Sequence, residues 1–279
     1  MLKIITDSTS DLDKKKIDEL GVEVVPLYVT FGEEIYKDGI DIDNESFYKK
    51  LKTSKVLPKT SQVNVGEFYE VFKKHIENGD EILGIFASAS LSGTFQSAVA
   101  AREMLDQKEK ISLVNSNTAA IGLEILIRHA VNMKNNNHGR EEIFKTLEKL
   151  KEKIRIIAMV STLKYLQMGG RLSKTSSIIG SILKITPILS LYKGEIIMLD
   201  KKKGKNLAMK SILMQMKKFG INSDYPILLT EGEAKEDMEK LKQLIEKELS
   251  QKIEIESKLG SVIGTHVGPG AIACAFVED

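Results

Sequence analysis

A hydroxyl-rich loop is the part of this sequence best suited to bind a charged ligand. Residues 87–97 hold alternating serines ahead of a glycine and a threonine: Ser88, Ser90, Ser92, Gly93 and Thr94. An apolar strand is predicted before the loop and a helix after it, so the first N–H groups of that helix lack intrahelical partners. Because the helix dipole is positive at this end, the loop predicts a site for a carboxylate or a phosphate. Ser92 as a simple helix cap is the alternative, which explains one hydroxyl but not three.

Two further hydroxyl-rich segments precede predicted helices. One is Asp7-Ser8-Thr9-Ser10-Asp11, and the other is Lys59-Thr60-Ser61-Gln62. Each segment alone is consistent with helix capping. Three such segments in one half of the chain favour a shared site, since open α/β sheets bind ligands in the crevice beyond their strand ends.

Two residues in the second half could complete such a site. His266 lies in a glycine-rich stretch, Gly264-Thr265-His266-Val267-Gly268-Pro269-Gly270, and its imidazole can donate a hydrogen bond to a carboxylate. A structural histidine is the alternative there. Arg171 follows Gly169-Gly170, and its guanidinium can bind a carboxylate or phosphate in bidentate fashion. A surface salt bridge is the alternative for Arg171. The other histidines, His75, His129 and His138, are predicted to lie on the surface.

Several catalytic and cofactor motifs are missing from the sequence. It contains no Walker loop, G-x-S-x-G elbow, H-E-x-x-H pair or GxGxxG turn. The single cysteine, Cys274, lies in an apolar run and is predicted to be a small buried hydrophobic residue, with no metal ligand set around it. No cofactor and no metal are therefore predicted. A net charge of only +2 also argues against nucleic acid as a partner.

The elements that position these residues fall into two groups. A chain of 279 residues is long enough for two domains. In the first half, apolar strands predicted at residues 2–6, 22–30, 81–87 and 111–114 alternate with amphipathic helices. Such alternation predicts a parallel sheet, and hence an α/β domain over residues 1–153.

The second half has a different pattern and predicts an α+β domain over residues 154–279. Strands are predicted at 154–160, 195–199, 226–230, 253–258, 262–265 and 271–277, with long helices at 205–219 and 235–250. The last two strands are separated by too few residues for a crossover helix, so a mixed or antiparallel sheet is expected. The ligand is expected between the two domains.

Neither a membrane span nor a signal peptide is predicted. The longest apolar stretch, residues 178–191, contains Lys184 and Pro187 and falls short of the about 20 apolar residues that a span needs. Residues 1–7 form a strand pattern rather than the apolar core of a signal peptide. A soluble, cytoplasmic protein is expected, with a monomer as the default.

Together these segments resemble the DegV family of bacterial fatty-acid-binding proteins over the whole chain. The resemblance rests on five ordered motifs: Asp7-Ser8-Thr9-Ser10-Asp11, Thr60-Ser61-Gln62, Leu91-Ser92-Gly93-Thr94, Gly169-Gly170-Arg171-Leu172-Ser173 and Gly264-Thr265-His266-Val267-Gly268-Pro269-Gly270-Ala271. Two positions depart from the family pattern. Val63 stands where a proline often follows, and Asn115 replaces the usual aspartate.

The resemblance implies a two-domain carrier with a long-chain fatty acid held between the domains. It implies that Thr60, Ser61, Ser92 and His266 bind the carboxylate, with Ser8, Gly93, Thr94 and Thr265 as possible support. It further implies that a separate ATP-dependent kinase subunit phosphorylates the bound acid to an acyl phosphate for phospholipid synthesis, a step in which Arg171 matters. Aliphatic residues that could line the tail's tunnel, or simply pack in a core, are Ile178, Ile179, Ile182, Leu183, Ile185, Ile188 and Leu189.

Two other function classes fit parts of the sequence. A serine hydrolase or acyltransferase would pair a loop serine with His266, although no strained nucleophile turn and no orienting acid can be identified. A module that binds sugar phosphates or other small anions would use the same helix start without needing an apolar tunnel.

Overall fold

The computed structural model describes residues 1–172 and 185–279. Seven strands lie in the first part of the chain: β1 (Leu2–Asp7), β2 (Glu23–Val25), β3 (Tyr28–Phe31), β4 (Glu34–Lys37), β5 (Lys59–Ser61), β6 (Glu81–Phe86) and β7 (Ile111–Asn115). Four of them form a parallel sheet in the order β2-β1-β6-β7. The predicted parallel α/β arrangement of the first half is confirmed.

Helices connect these strands and cover both faces of the sheet. They are α1 (Lys14–Leu20), α2 (Asn44–Thr53), α3 (Val65–Glu77), α4 (Thr94–Glu103), α5 (Ala120–Asn135) and α6 (Arg140–Leu150). Helix α3 begins with a capping box, in which Asn64 accepts from the Glu67 N–H while the Glu67 carboxylate accepts from the Asn64 N–H. The residue that caps this helix is therefore Asn64 and not one of the hydroxyls at positions 60 and 61.

The strand predicted over residues 22–30 is wrong as a single element. Pro26 lacks an N–H for strand pairing, and the chain bends there from β2 in the parallel sheet to β3 in a second sheet. That second sheet is antiparallel, with the order β4-β3-β5. Strand β5 carries Thr60, so this small sheet, which the sequence pattern missed, positions a predicted ligand contact.

The second half contains a six-stranded mixed sheet. Its strands are β8 (Ile154–Met159), β9 (Thr186–Tyr192), β10 (Glu195–Lys202), β11 (Ile227–Gly232), β12 (Ile253–Lys258) and β13 (Ala271–Val277). The order is β10-β9-β8-β13-β11-β12, and every neighbouring pair is antiparallel except β11 and β12. The expected mixed sheet is confirmed, whereas the boundary between residues 153 and 154 stays a prediction.

Four helices belong to this half within the described residues: α7 (Lys164–Met168), α8 (Lys205–Phe219), α9 (Lys235–Leu249) and α10 (Ser261–Val267). The strand predicted at residues 262–265 is wrong, because this segment forms α10. Its apolar residues pack on two sides of a short helix rather than along a strand, with Val262 in the cluster that contains Phe47 and Ile263 against the cluster that contains Leu166 and Leu189. Gly268, with φ +72°, ends the helix in the left-handed region that favours glycine.

Helix α5 joins the two halves into one core. Ten of its residues are buried, and they pack against Ile4 and Ile85 of the parallel sheet and against Ile156 and Ala275 of the mixed sheet. A helix that is apolar on nearly all sides is stable only when both sides are covered. Helices α8 and α9 cover the opposite face of the mixed sheet. The face shared with α5 is the one on which the cavity lies.

Candidate functional site

A cavity of about 330 Å³ lies between the loops of the first half and the inner face of the mixed sheet. This volume is within the range of small-molecule sites. Most of its wall is aliphatic, and the polar residues that line it are Thr9, Thr60, Ser61, Gln62, Ser92, Arg171, Ser190, Thr230 and His266. The cavity is therefore amphipathic, as a ligand with a polar head and an apolar tail requires.

The polar end of the cavity centres on Thr60 and His266. The Thr60 Oγ1 lies 2.8 Å from the His266 Nε2, although the two residues are 206 positions apart in the chain. Thr60 projects from β5 and His266 from the last turn of α10. The small antiparallel sheet and the short helix thus bring one neutral donor from each half to the same place.

The imidazole of His266 is held neutral by its surroundings. Burial, together with the nearby Arg171 charge, lowers the pKa of His266 from 6.5 to about 4. A neutral imidazole carries a single N–H, and the Thr60 hydroxyl can either donate to or accept from the Nε2. A neutral histidine donates a hydrogen bond to a carboxylate without forming a buried ion pair, which would cost desolvation of two charges.

Gly169 forms the floor under the His266 ring. A Cβ atom at position 169 would overlap the Nδ1 of His266, so a glycine is needed for the ring to lie where it does. Gly169 has φ −74°, which any residue adopts, and its requirement is therefore steric contact and not backbone strain.

Ser92, Gly93 and Thr94 form the start of α4 beside this polar end. The Ser92 Oγ lies 2.8 Å from the Thr94 Oγ1 and accepts from the Thr94 N–H, while Gly93 is the N-cap and has no side chain to cap the helix. Ser92 and Gly93 line the cavity. Thr94 is buried behind them and supports the Ser92 hydroxyl.

Gln62 lines the cavity, and no specific role for it is evident from the sequence. Its side chain packs against Gly93, and its Nε2 donates to the Ser97 Oγ at 2.9 Å. This contact ties the loop after β5 to α4. A motif of three adjacent polar residues was the available signal, and only the fold shows that the third one braces the loop.

The Arg171 side chain contacts both halves of the chain. Its Nε donates to the Leu91 carbonyl at 3.0 Å, and its Nη1 donates to the Gly169 carbonyl. Arg171 lines the cavity and is half-buried. A guanidinium anchored on two carbonyls retains N–H groups and a full positive charge at the polar end of the cavity.

The other predicted contacts lie in different surroundings. Ser61 lines the cavity, but it alternates with Thr60 on β5 and its side chain is exposed. The Ser8 Oγ accepts from the Leu27 N–H, and the Thr265 Oγ1 donates to the Ser261 carbonyl within α10. Neither Ser8 nor Thr265 is part of the cavity wall within the described residues. All these assignments stay predictions.

The N-terminal end of α10 is fixed by a contact between the two halves. The Ser261 Oγ donates to the Asp38 carboxylate, 223 positions away in the chain. Burial raises the pKa of Asp38, and the hydroxyls of Ser261 and Ser8 oppose that rise by donating hydrogen bonds. The opening motif thus supports the helix that carries His266 and does not itself reach the ligand site through Ser8.

Small side chains create room along the apolar part of the cavity. Ala158, Ala271 and Ala273 lie on the inner face of β8 and β13 and line the cavity together with Leu189 and Ile196. Of the aliphatic residues predicted for the tunnel, Leu189 lines it. Ile188 points to the opposite face, towards α8, and Ile185 is not part of the wall. Ile178, Ile179, Ile182 and Leu183 lie outside the described residues.

The geometry does not assemble a hydrolase site from the described residues. The Ser92 hydroxyl is paired with Thr94, and the His266 Nε2 is paired with Thr60. The His266 Nδ1 has no hydrogen-bond partner among residues 1–172 and 185–279, whereas a catalytic histidine is oriented by an acid at that position. Cys274 is buried, and burial raises its pKa to about 12, which disfavours the reactive thiolate.

Three other sequence-based expectations can be compared with the described residues. His75 is buried, and its Nε2 contacts the Glu23 carboxylate, so the surface assignment is wrong for this residue. No group of three or more His, Cys, Asp or Glu side chains suited to a metal ion occurs in the described part of the chain. Among the helices of the same residues, none is both long and apolar enough to cross a bilayer.

Comparisons with known proteins agree on one family. The sequence model of the family described as "Uncharacterised protein, DegV family" matches residues 1–279. A DegV domain-containing protein of Caldanaerobacter subterraneus subsp. tengcongensis is 37% identical over 278 residues, which cover 99% of each chain.

Several solved structures share this fold, and their descriptions give a fatty acid as the ligand of those proteins. A fatty-acid-binding DegV family protein from Thermus thermophilus is 27% identical with a TM-score of 0.89, and 99% of each chain is covered. DegV from Bacillus subtilis, described as a fatty acid binding protein, is 30% identical with a TM-score of 0.85, covering 100% of this chain and 99% of that one. A stearic-acid-binding protein from Eubacterium ventriosum is 26% identical with a TM-score of 0.90, covering 100% and 98%.

Proposed function

This chain belongs to the DegV family, and we propose that it binds a long-chain fatty acid in the cytoplasm and presents it to a separate kinase. The observation that carries the proposal is the Thr60–His266 contact of 2.8 Å at the polar end of an otherwise apolar cavity. The relatives named for fatty-acid binding supply the ligand class.

The carboxylate would lie at the polar end, among neutral donors. A buried carboxylate without hydrogen bonds is costly, so its site must supply several donors. The Ser92 hydroxyl would offer one, and the Thr60–His266 pair would offer another when the His266 N–H donates to Thr60 and leaves the Thr60 O–H free. Ser61 lies next to Thr60 on β5. Arg171 adds a nearby positive charge while its own guanidinium stays anchored on carbonyls.

The acyl chain would lie over the alanine-lined strip of the mixed sheet. Each buried methylene contributes about 0.8 kcal/mol, so a long chain supplies most of the binding free energy. The donors at the head would then select an acid over an apolar molecule of the same length, because a buried donor without its partner is unfavourable.

In the proposed role the protein is a carrier and not the catalyst. A separate ATP-dependent kinase subunit would phosphorylate the carboxylate to an acyl phosphate, and Arg171 would stabilise the charge that develops there. The product would then enter phospholipid synthesis. Support for this step is limited to the resemblance and to the position of a cationic side chain at the polar end of the cavity.

Native mass spectrometry of the protein purified from bacteria tests the binding function. We expect a retained mass that matches a fatty acid, or a shift of the ligand-free mass on addition of oleate or palmitate. A ligand-free mass that stays unchanged with both acids would contradict the proposal. Sugar phosphates serve as the negative control. Displacement of a bound fluorescent fatty acid by sugar phosphates, and not by long-chain acids, would indicate a module that binds small anions.

A fluorophosphonate probe separates the carrier from a hydrolase. We expect no labelling, because the Ser92 hydroxyl is paired with Thr94 rather than with His266. Labelling of the wild-type protein that disappears in Ser92→Ala would support a hydrolase.

A further inference from the structure

The start of α10 lies against two buried carboxyl groups of the first half of the chain. Asp38 accepts a hydrogen bond from the Ser261 hydroxyl. A Cβ atom at the preceding residue, Gly260, would overlap the Asp11 Oδ1. Because Gly260 and Ser261 are adjacent, Asp11 and Asp38 face the same end of the helix. His266 lies in the last turn of this helix, which has only seven residues.

The two carboxyl groups differ in the hydrogen bonds that they receive. The hydroxyls of Ser261 and Ser8 both donate to Asp38. Both carboxyl oxygens of Asp11 are buried, and neither has a hydrogen-bond partner within residues 1–172 and 185–279. Two buried carboxylates at one helix end repel each other, so the group without donors takes up a proton more readily. Asp11 is therefore neutral, and Asp38 carries the charge.

The groups that face Asp11 agree with a neutral carboxyl group. Burial raises the pKa of Asp11 well above 3.8, and the charges of Asp38, Glu124 and Asp7 raise it further. The Gly260 N–H opposes this rise, but it forms no hydrogen bond of normal geometry with Asp11. The negative charges around Asp11 therefore outweigh the one donor near it.

The cations on the neighbouring elements are engaged elsewhere. Lys16 and Arg128 pair with Glu124, at 3.1 Å and 2.7 Å. Tyr48 of α2 also faces Asp11, and its buried hydroxyl has no partner in the described part of the chain. Burial raises the pKa of Tyr48, and Asp11 raises it further, so the phenol stays uncharged. A charged Asp11 would have no positive partner among these groups.

The position of α10 determines whether Thr60 and His266 meet. The helix packs on α2, β3 and β5 of the first half, and it approaches α2 so closely that a Cβ at Gly264 would meet the Tyr48 hydroxyl. A charge on Asp11 would favour a position of α10 that lets water reach the carboxylate, because a buried and unpaired charge is costly. Such a shift of α10 would move His266 away from Thr60.

We infer that Asp11 is a positioning residue for the ligand carboxylate: its uncharged carboxyl group keeps the start of α10 where His266 meets Thr60. The inference rests on the proposed function, because Asp11 acts on the ligand only through His266. Fatty-acid affinity then decreases as the pH rises and Asp11 becomes charged. Protonation of His266 acts at the other end of the pH range, towards pH 4.

Isothermal titration with palmitate between pH 6 and pH 9 tests this role, with Asp11→Asn as the uncharged replacement. Asparagine keeps the shape of the side chain and tolerates the left-handed backbone at position 11, where φ is +53°. We expect Asp11→Asn to match the wild type at pH 6. As the pH rises, the affinity of the wild type falls relative to Asp11→Asn, by at most about tenfold for each pH unit, because one proton is involved.

Asp106→Asn is the matched control, since it removes an exposed carboxylate, and it should follow the wild type at every pH. Weaker binding by Asp11→Asn at pH 6 would show that the charged form of Asp11 is the one required, and would overturn the inference. A ratio of the two affinities that stays constant from pH 6 to pH 9 would overturn it as well.

A second comparison tests the contact between Asp11 and α10. Gly260→Ala places a Cβ against the Asp11 Oδ1, at a backbone φ of −70° that alanine accepts. We expect palmitate binding to weaken roughly tenfold, as for the loss of one hydrogen bond. Asp11→Gly combined with Gly260→Ala removes the overlap, and glycine tolerates the left-handed backbone, so part of the loss should be regained.

Nitrogen-15 NMR of the His266 imidazole reports whether its Nε2 still pairs with Thr60. We expect the His266 signals to shift in Gly260→Ala and to match the wild type in Asp11→Asn at pH 6. Unchanged signals and unchanged affinity in Gly260→Ala would overturn the positioning role. Palmitate that fails to bind the wild type at any pH would instead refute the proposed function.

Discussion

The Thr60 Oγ1 and the His266 Nε2 lie 2.8 Å apart, on two elements that belong to different halves of the chain. Neither residue alone distinguishes a ligand site from ordinary structure. Their contact at the polar end of an apolar cavity favours a ligand site, because two neutral hydrogen-bonding groups converge where a carboxylate would need them.

Replacement of Thr60 tests the head group contact directly. In Thr60→Val we expect fatty-acid affinity to fall by roughly ten- to hundredfold, since a hydrogen bond to a charged group is lost. Ser61→Ala is the matched comparison, and its effect should be smaller because the Ser61 side chain is exposed and alternates with Thr60 on β5. Isothermal titration with palmitate measures both variants. Equal losses would show that Ser61 contributes as much as Thr60.

Gly169→Ala should weaken binding without unfolding the protein. The added Cβ would overlap the His266 Nδ1, so the imidazole must move away from Thr60. The backbone at position 169 accepts alanine, since its φ is −74°. We expect a loss of affinity of about tenfold with little change in melting temperature. Gly139→Ala is the control, because a Cβ there meets no atom within 4 Å. An unchanged affinity in Gly169→Ala would contradict the steric role.

Filling the alanine strip should shorten the preferred acid. Ala158→Leu adds three carbons to the cavity wall without touching the polar end. We expect octanoate to bind as before while palmitate loses several kcal/mol, at about 0.8 kcal/mol for each methylene displaced from the tunnel. Displacement assays over a series of chain lengths measure this shift. If palmitate and octanoate weaken equally, the chain does not lie over Ala158.

The neutral state of His266 makes stability depend on pH. Its pKa is lowered from 6.5 to about 4 in the folded protein, so the unfolded chain takes up a proton first as the pH falls. The contribution of His266 is therefore fully present above pH 6.5 and is lost towards pH 4, by up to about 3 kcal/mol.

Urea unfolding at a series of pH values checks this effect. Because the buried carboxylates of Asp7 and Asp38, whose pKa values are raised, titrate in the opposite sense, the quantity to follow is the difference in unfolding free energy between the wild type and His266→Gln. We expect this difference to fall between pH 7 and 4. A constant difference would mean that His266 titrates normally.

Arg171→Ala should separate binding from phosphorylation. The guanidinium is anchored on the Leu91 and Gly169 carbonyls, and its charge remains at the polar end of the cavity. We expect fatty-acid affinity to change little and phosphorylation by the kinase subunit to fall by roughly a hundredfold, as when one group that stabilises developing charge is removed. Arg171→Lys retains the positive charge but not the forked guanidinium, so its rate of phosphorylation should lie between those of the wild type and Arg171→Ala. A parallel loss of binding would assign Arg171 to the carboxylate site.

The sequence by itself determined the class of fold and the residues that could bind an acid. Apolar runs covered on both faces predict buried parallel strands, and that pattern is local. Hydroxyl-rich segments and glycine-flanked Arg171 and His266 are local signals too. The sequence pattern was wrong where tertiary packing decided the outcome. Residues 262–265 form part of α10 because both sides of a short helix are packed there, and Pro26 divides the predicted strand 22–30 between two sheets.

Only the tertiary structure decided which of the candidate residues meet. Thr60 and His266 are 206 positions apart, and their contact depends on how the small antiparallel sheet and α10 are held by distant partners such as Asp38 and Ser261. Contacts between remote segments follow from sheet order and register, which no short stretch of residues specifies.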